Sequence, residues 1–376
     1  MILGLLKEPD FEKRVALIPD NILILKDFGI EILVETGAGS RAFFTDEQYL
    51  AAGAKIEERS TILSSAGLLI SIQPPSSTEI ENLEEGKSLL SVLNPLFEHE
   101  LVKQLAKSKI SSFSLDVIPR TTRAQAMDIL SSMATVAGYR AVLTAALELP
   151  KFFPMFMTAA GTIKPAKLLI LGAGVAGLQS IATARKLGAV VEVFDVRAAV
   201  KEEVMGLGAK FVEVEGATDD KAAGGYAVEQ SDDFKKRQAQ AIHDHAVRSD
   251  VIICTAQIPG RKAPLLIQKE TVEAMKPGSV IIDLAASGGG NSAFTQNAQT
   301  IIHKGIKIIG NSDFPTDMPT DASQMFGKNV LNFLKLLITK EGNLHLNWED
   351  DLVKGTCVTH DGNIVHERVL SFMKSV

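Results

Sequence analysis

A short apolar run followed by spaced glycines constrains this chain more than any other feature of its sequence. Residues 168–171 read LLIL, and residues 172–177 read GAGVAG and open a helical pattern. A second apolar run, 190–194, leads to Asp195, about 20 residues beyond the glycines. This succession of strand, glycine turn, helix and acid-tipped strand predicts a βαβ unit that binds a dinucleotide.

Each part of this fingerprint has a physical role. Gly172 would make the tight turn, Gly174 would let backbone approach a pyrophosphate, and Gly177 would let the helix lie close on the sheet. The start of the helix would supply N–H donors and the positive end of its dipole. Asp195 would accept from the adenosine ribose hydroxyls and repel a 2′-phosphate, which favours NAD over NADP. A tight turn alone would explain the glycines, but it gives no role to Asp195.

The residues expected to bind NAD(H) extend beyond the glycines. The neighbours of the turn and of Asp195 are included, and so is the segment 255–257, which follows another apolar run. Two loops, 283–285 and 288–290, are expected near the same site, although glycine runs also form ordinary loops. The predicted set is Gly172, Ala173, Gly174, Val175, Gly177, Asp195, Val196, Arg197, Tyr226, Thr255, Ala256 and Gln257.

Length and composition exclude several classes of protein. A chain of 376 residues is long enough for two domains. The net charge of −6 predicts no nucleic-acid partner and no anionic membrane surface. The two cysteines are far apart, Cys254 is expected to be a buried core thiol, and no metal-ligand spacing is seen, which favours a reducing cytoplasm. No signal peptide and no stretch long enough to span a bilayer are expected.

The alternation of apolar runs and amphipathic segments predicts the α/β class, with two Rossmann-like doubly wound parallel-sheet domains joined by long helices around a cleft. Expected strands are 2–6, 31–35, 67–72, 88–93, 110–115, 168–171, 190–194, 211–214, 251–255, 280–284 and 306–309. Expected helices are 20–28, 46–52, 60–66, 99–106, a long bridge at 123–149 and a return helix at 321–337. The predicted domains are 1–135 plus 320–376, and 136–319 for NAD binding.

One predicted connection is unusually long. Residues 215–234 are polar, carry a Gly-Gly pair and lack clear periodicity. Loops of this length are uncommon unless they are functional or disordered. They form either a solvated surface insertion or a mobile flap that closes over the nucleotide with Tyr226 as its contact.

Polar residues recur at helical spacing near the start of the long predicted helix. Gln125, Asp128 and Ser131 or Ser132 would share one face, where they could orient a carboxamide by accepting from and donating to it. Arg120 could pair with Asp128 or contact a nucleotide directly. A row of solvent-exposed side chains is the alternative. The expected catalytic set is Arg120, Gln125, Asp128 and Ser131.

Histidines are scarce along most of the chain, and His99 is the only one before His243. An alcohol or amine dehydrogenase moves a proton as well as a hydride and usually places a histidine for it. Hydride transfer between two nicotinamides needs no general acid, so the protein has only to bind, align and exclude water. The cluster His243-Asp244-His245 is expected to be a solvated helix end and not a metal site.

Several long stretches resemble the soluble NAD(H)-binding component, domain I, of proton-translocating NAD(P)+ transhydrogenases, in the bacterial form that has it as a separate alpha subunit. The similarity covers nearly the whole chain. It is most specific at RAQAMDILSSMATVAGYRAV, MTAAGTIKPAKLLILGAGVAGLQSIATARKLGAVVEVFDVR, MKPGSVIIDLA, DASQMFGKNVLNFL and GTCVTHDGNIVH. The wider superfamily includes alanine dehydrogenases, which share openings like KEPDFEKRVAL and VETGAG.

The resemblance implies that the catalytic set surrounds the nicotinamide, that Tyr226 lies on a mobile loop and that Asp195 binds the adenosine ribose. It implies a homodimer that holds NAD(H), while NADP(H) is held by the NADP(H)-binding domain of a beta subunit. Hydride would pass directly between the two nucleotides. Membrane-spanning subunits would couple this step to proton translocation and hold the chain at the cytoplasmic face of the bacterial inner membrane.

Two departures separate the chain from alanine dehydrogenases. Those enzymes are expected to carry a substrate lysine near Gln73 and a catalytic histidine near Val92, and both are absent here. Ser287 stands where some relatives carry an acidic or amide side chain, so it receives no detailed role. An NAD-dependent amino-acid dehydrogenase and a non-catalytic NAD-binding sensor are the alternative functions.

Overall fold

The structure is a computed structural model that describes residues 1–214, 231–258 and 260–375. It contains two compact units, Met1–Met133 with Pro315–Val376, and Ala134–Phe314. The first unit is therefore assembled from both ends of the chain. Tyr226 and most of the predicted flap lie outside the described residues.

The strands follow one another at short intervals along both units. In chain order they are β1 (Ile2–Leu5), β2 (Glu31–Glu35), β3 (Lys55–Glu57), β4 (Leu68–Ile70), β5 (Ser88–Leu90), β6 (Ser111–Phe113), β7 (Phe156–Thr158), β8 (Gly161–Ile163), β9 (Lys167–Leu171), β10 (Val190–Phe194), β11 (Lys210–Phe211), β12 (Val251–Cys254), β13 (Val280–Asp283), β14 (Gln299–His303), β15 (Ile306–Gly310), β16 (Cys357–His360) and β17 (Asn363–Ile364).

Helices connect most of these strands. In chain order they are α1 (Pro19–Lys26), α2 (Asp46–Ala52), α3 (Arg59–Ser65), α4 (Ser77–Asn82), α5 (His99–Lys107), α6 (Ile129–Glu148), α7 (Val175–Lys186), α8 (Lys201–Gly206), α9 (Asp232–Ala246), α10 (Lys269–Ala274), α11 (Pro319–Leu337), α12 (Asp351–Thr356) and α13 (Glu367–Ser375).

The first unit is built on an eight-stranded sheet in the order β17-β16-β6-β5-β4-β1-β2-β3. β1 to β6 run parallel to their neighbours, whereas β16 pairs antiparallel with both β6 and β17. Every residue of β4, β5 and β6 is buried, as expected for parallel strands covered by helices on both faces. Leu68 and Ile70 belong to the core on one face and Leu69 to the core on the other.

The second unit is built on a seven-stranded sheet in the order β11-β10-β9-β12-β13-β15-β14. All pairs are parallel except β14 with β15. Leu168 and Ile170 pack into one core, and Leu169 and Leu171 into the other. The chain order reverses between β9 and β12, and the carboxyl ends of strands at such a point are where open α/β sheets bind ligands.

The structure confirms the α/β class and the two doubly wound sheets, and it places most expected elements within a few residues of their predicted bounds. Strand 31–35, strand 190–194 and helix 46–52 match at both ends. β3, α4 and β14 were not predicted from the sequence. β3 spans three residues, and β14 is a largely exposed antiparallel edge strand that has no apolar run to mark it.

The predicted helix over 123–149 is wrong at its beginning. A 3-10 helix covers Thr122–Met127, and Asp128 has an extended backbone with ψ of 91°. Only from Ile129 does α6 run as a regular helix. Asp, Ser and Thr side chains that bond to nearby backbone groups favour such breaks.

The expectation that no stretch could span a bilayer is also wrong by length and composition. α6 has 20 residues and a mean hydropathy of 1.2 over its most apolar window. Core helices of soluble proteins share these properties. Ala137, Ala141, Val142 and Ala145 of α6 lie in a core cluster of the second unit, which is the environment of a core helix.

Candidate functional site

The glycines of the turn between β9 and α7 have three different environments. Gly172 has φ of 102°, a left-handed conformation that favours glycine, and a Cβ there would lie 2.5 Å from Thr255 Oγ1. A Cβ on Gly177 would lie 1.9 Å from the carbonyl oxygen of Gly172, so the helix could not pack against the turn. A Cβ on Gly174 would meet nothing within 4 Å. Gly172 and Gly177 are thus required by the fold, whereas Gly174 borders open space.

The open space at Gly174 lies at the N-terminus of a regular helix. α7 has 12 residues, and its N-cap is Gly174, which has no side chain with which to cap the first amides. Arg185 and Lys186 lie in the last turn, where they complement the negative end of the dipole. Backbone N–H groups beside a space that a Cβ would fill suit an anionic phosphate, so these residues fit the pyrophosphate of a dinucleotide.

Packing against α6 holds the beginning of α7 in place. Gly138 of α6 lies so close to α7 that a Cβ would be 2.2 Å from the carbonyl oxygen of Ala176. Ser180 Oγ donates to the carbonyl oxygen of Gly138 at 3.1 Å. The first two turns of α7 are therefore held against the core of the second unit.

Thr255 connects the two strands at the reversal point. Its backbone N–H donates to Leu171 at 2.8 Å, which continues the ladder between β9 and β12 beyond the strand ends. Its Oγ1 donates to the carbonyl oxygen of Gly172 at 3.0 Å. The side chain predicted to bind nucleotide thus first supports the glycine turn.

Asp195 has protein partners at both carboxylate oxygens. Oδ2 accepts from Ala173 N–H at 2.7 Å and from Arg197 Nη2 at 2.7 Å. Oδ1 accepts from the backbone N–H of Arg197 at 2.8 Å and from its Nε at 2.9 Å. The side chain is 6% exposed. The view that a tight turn gives Asp195 no role is therefore wrong, because Asp195 ties the end of β10 to the glycine turn.

Asn291 is a residue of this site that the sequence did not reveal. It is fully buried, and its Oδ1 accepts from Ala256 N–H at 3.0 Å. Its Nδ2 donates to the carbonyl oxygens of Ala256 at 2.9 Å and Pro264 at 2.8 Å. One side chain thus satisfies both backbone groups of a predicted nucleotide-binding residue. An asparagine after a glycine run predicts an ordinary turn, so no local signal could have identified it.

Asp283, at the end of β13, holds the loop that carries Asn291. Its carboxylate accepts from the N–H groups of Ala285, Asn291 and Ser292 and from Thr295 Oγ1, at 2.6–3.2 Å. Burial raises the pKa of Asp283, while these hydrogen bonds act in the opposite direction. Gln257 is held nearby through Nε2, which donates to the carbonyl oxygen of Leu284 at 3.1 Å.

The expected catalytic set lies on one short segment of the first unit, but not on one helix face. Asp128 precedes α6 and caps it: its Oδ1 accepts from Ser131 N–H at 2.9 Å and its Oδ2 from Ser131 Oγ at 2.6 Å. Gln125 lies on the preceding 3-10 helix and is exposed, as is Arg120. The structure brings Asp128 and Ser131 together through a helix cap, which is a bonding pattern the spacing argument did not predict.

The C-terminal portion of the chain anchors this segment. The side-chain amides of Asn329 and Asn332 on α11 both donate to the carbonyl oxygen of Ala126, at 2.9 and 3.0 Å. Arg123 forms an ion pair with Asp350, whose carboxylate also caps α12. No local pattern predicts these contacts, because residues about 200 positions apart meet only in the folded unit.

Other predicted features have structural surroundings of their own. Cys254 is confirmed as a buried thiol, and burial raises its pKa well above the usual range. The solvated helix end predicted at 243–245 is wrong: His243 bonds Thr271 Oγ1 at 2.9 Å and His245 bonds Glu192 at 2.6 Å. Ser287 is exposed, and its N–H donates to Ser312 Oγ at 3.0 Å.

Comparison with known families covers almost the whole chain. Residues 4–137 match the model described as "Alanine dehydrogenase/PNT, N-terminal domain", and residues 141–367 match "Alanine dehydrogenase/PNT, C-terminal domain". The chain is 46% identical to the first of the separately encoded pieces of NAD(P) transhydrogenase subunit alpha in Rhodospirillum rubrum, over 94% of this chain and 95% of that protein. It is 43% identical to NAD(P) transhydrogenase subunit alpha of Haemophilus influenzae, over 96% of this chain and 71% of that protein.

Solved structures and more distant relatives extend this comparison. The crystal structure of transhydrogenase from Sinorhizobium meliloti matches with a TM-score of 0.85 and 36% identity, covering 98% of this chain and 99% of that one. An alanine dehydrogenase from Halomonas elongata is 28% identical over 95% of this chain and 92% of that protein.

Proposed function

We propose that this chain, which belongs to the alanine dehydrogenase/PNT family, is the NAD(H)-binding component of a transhydrogenase that passes hydride directly to or from NADP(H) on a partner subunit. The glycine turn at 172–177 carries the proposal, because its open side at Gly174 borders uncapped amides at a helix N-terminus. Relatives named transhydrogenase subunit alpha, at 46% and 43% identity, favour this member of the family over the alanine dehydrogenases.

Bound NAD(H) would supply or accept the hydride at its nicotinamide. Gly172, Gly174 and Gly177 would hold its pyrophosphate against α7, Asp195 would lie beside the adenosine ribose, and Thr255, Ala256 and Gln257 would line the exit of β12. Arg120, Gln125, Asp128 and Ser131 would orient the carboxamide. The cap between Asp128 and Ser131 keeps both side chains in fixed positions, which favours alignment.

No general acid or base is needed for transfer between two nicotinamides, and the chain offers poor candidates for one in the first unit. His99, the histidine nearest the predicted set in sequence, bonds the carbonyl oxygen of Leu96 at 3.1 Å. Gln73 and Val92 stand where alanine dehydrogenases are expected to carry lysine and histidine. These observations favour transhydrogenation over amino-acid oxidation.

A second copy of the chain is the proposed occupant of the β7–β8 hairpin. Every residue of both strands is exposed, and the hairpin is a two-stranded sheet separate from the seven-stranded one. Leu147, Met155 and Met157 nearby are 80%, 57% and 77% exposed. An apolar hairpin of two strands is marginal in water, and pairing with another copy would bury it. The subunit would then reach the cytoplasmic face of the membrane through the proton-translocating partners.

The proposed dimer predicts that Met157→Glu gives a monomer, because a charge at the interface would have to be buried without a partner. Sedimentation velocity measures the change. Phe11→Glu is the matched control, since Phe11 is a similarly exposed side chain of the first unit at 69%. A dimer that persists in Met157→Glu, or that is lost only in the control, contradicts the hairpin as the interface.

Reconstitution tests the proposed activity. The purified chain, mixed with the NADP(H)-binding domain of a transhydrogenase beta subunit, should transfer hydride from NADH to NADP+ without added acid or base groups. The reaction is followed by stopped-flow absorbance with a nucleotide analogue whose reduced form absorbs separately. Absence of transfer, with NADH bound, would favour an NAD-binding sensor. Oxidation of alanine by the chain alone would instead favour a dehydrogenase.

The catalytic set predicts a separation of rate from affinity. Asp128→Asn and Arg120→Ala should each slow hydride transfer by about 100-fold or more while changing NADH affinity less than tenfold, because they act on the alignment of the ring. Arg123→Ala is the matched control, since Arg123 forms a surface ion pair of small energetic value. Normal transfer in both test variants would remove these residues from the mechanism.

A further inference from the structure

Arg197 follows the acid at the end of β10 and is held by it in a two-pronged pair. Nε lies 2.9 Å from Asp195 Oδ1 and Nη2 lies 2.7 Å from Asp195 Oδ2. The backbone N–H of Arg197 adds a third bond, to Oδ1 at 2.8 Å. The Arg197 side chain remains 21% exposed, compared with 6% for Asp195.

An arginine near this position is the group that accommodates the 2′-phosphate in NADP-binding Rossmann domains. The planar guanidinium matches a phosphate as well as a carboxylate, since both offer two oxygens to its parallel N–H groups. In this chain the guanidinium edge formed by Nε and Nη2 already faces the Asp195 carboxylate. The residue that could receive the additional phosphate is therefore present but occupied.

The same position in the first unit shows which feature of this arrangement is structural. Glu35, the last residue of β2, accepts from Lys7 N–H at 2.8 Å, just as Asp195 accepts from Ala173 N–H. Glu35 also pairs with an arginine, but Arg59 comes from α3 and not from the turn beside the acid. An acid that ties the second strand to the turn after the first is thus common to both units. The adjacent arginine distinguishes the nucleotide-binding one.

We propose that Arg197 is a latent receptor for the 2′-phosphate of NADP(H), and that Asp195 excludes this nucleotide by holding the guanidinium as well as by repelling the phosphate. The inference rests on the proposed binding of NAD(H) at residues 172–177. It assigns to Asp195 two separable effects, of which only the repulsion acts without Arg197.

Removing the charge of Asp195 should release Arg197. Asp195→Asn keeps the shape of the side chain and can still accept from one backbone N–H, but it neither attracts the guanidinium strongly nor repels a phosphate. The NADPH dissociation constant should fall by about tenfold or more, the gain expected from one freed charge-assisted contact. It should rise again with salt, as a contact to a phosphate does.

Equilibrium titration of the full chain with NADH and with NADPH tests the inference. The NADPH gain should appear in Asp195→Asn and disappear in the double variant Asp195→Asn/Arg197→Ala. Asp195→Ser is the second test variant if Asp195→Asn does not fold, because serine also removes the charge. An NADPH gain that survives in the double variant overturns the role of Arg197, since repulsion alone would then explain the preference.

Glu35→Gln is the matched control. It weakens the equivalent link in the first unit, so it should lower thermal stability to a similar extent as Asp195→Asn without changing the ratio of the two dissociation constants. No NADPH gain in Asp195→Asn, with NADH still bound, overturns this inference alone. A wild-type chain that binds no NADH overturns the proposed function together with it.

Discussion

The two units have the same strand order around their first strand and differ in the turn that follows it. The order β3-β2-β1-β4-β5-β6 in the first unit corresponds to β11-β10-β9-β12-β13-β15 in the second. In the second unit the chain passes from β9 into α7 through the glycine turn. In the first unit it takes residues 6–18 to pass from β1 to α1. The same sheet therefore either presents bare backbone or covers the corresponding position with side chains.

Glu8 covers that position in the first unit. Its carboxylate accepts from the N–H groups of Ile72 at 2.6 Å and Gln73 at 2.9 Å, which follow β4 at the reversal point of the sheet. The side chain is buried, and burial raises its pKa to about 8. A dinucleotide phosphate would meet a carboxyl group there, whereas at Gly174 it would meet amides. The comparison teaches that strand order permits a nucleotide site and that the turn decides whether one exists.

The largest expected effect concerns Glu8. Below pH 4.5 this carboxyl is protonated in both states, and between pH 4.5 and about 8 the folded chain keeps a proton that the unfolded chain loses. Stability should therefore fall as pH rises through this range, by about 1.4 kcal/mol per unit and roughly 5 kcal/mol in all. Urea unfolding at pH 5, 6.5 and 8 should show this slope in the wild type and a flatter one in Glu8→Gln. Parallel slopes would show that the buried carboxyl does not distinguish the first unit.

The next effect concerns the close packing of the glycine turn. Gly177→Ala places a methyl group against the carbonyl oxygen of Gly172, which is backbone and cannot move aside, so stability should fall by about 3 kcal/mol and NADH binding should be lost. Gly4→Ala in β1 is the control, since its Cβ meets side-chain atoms of Ile62 and Ala66. It should destabilise the first unit and leave NADH affinity unchanged. Equal loss of binding in both variants would remove the contrast between the two turns.

A smaller effect separates the buried asparagines of the two units. Asn291→Ala leaves both backbone groups of Ala256 without their partner, which should cost about 2 kcal/mol and weaken NADH binding. Asn329→Ala should cost less, because Asn332 also donates to the carbonyl oxygen of Ala126. Thermal unfolding and NADH titration measure both. The reverse order of stability, or normal NADH binding by Asn291→Ala, would contradict the assignment of Asn291 to the nucleotide site.

Much of the fold could be predicted from the sequence because its signals are local. Buried parallel strands are apolar runs, and β10 at 190–194 and α2 at 46–52 have the predicted bounds. The start of α6 could not be predicted, because the periodicity of residues 123–149 continues through the break at Asp128. That break depends on the side chain of Asp128 bonding Ser131 and on contacts that α11 makes with Ala126.

The sequence by itself determined the two α/β sheets and the glycine turn, because apolar periodicity and the need for glycine at a positive φ are properties of neighbouring residues. It also marked Asp195 as the acid of a nucleotide site. Only the tertiary structure decided that Asp195 holds Arg197 and Ala173, that Asn291 fixes Ala256 and that Glu8 fills the equivalent place in the first unit. These contacts join separate loops at the ends of strands, and the sheet has to form before the partners of each polar group are fixed.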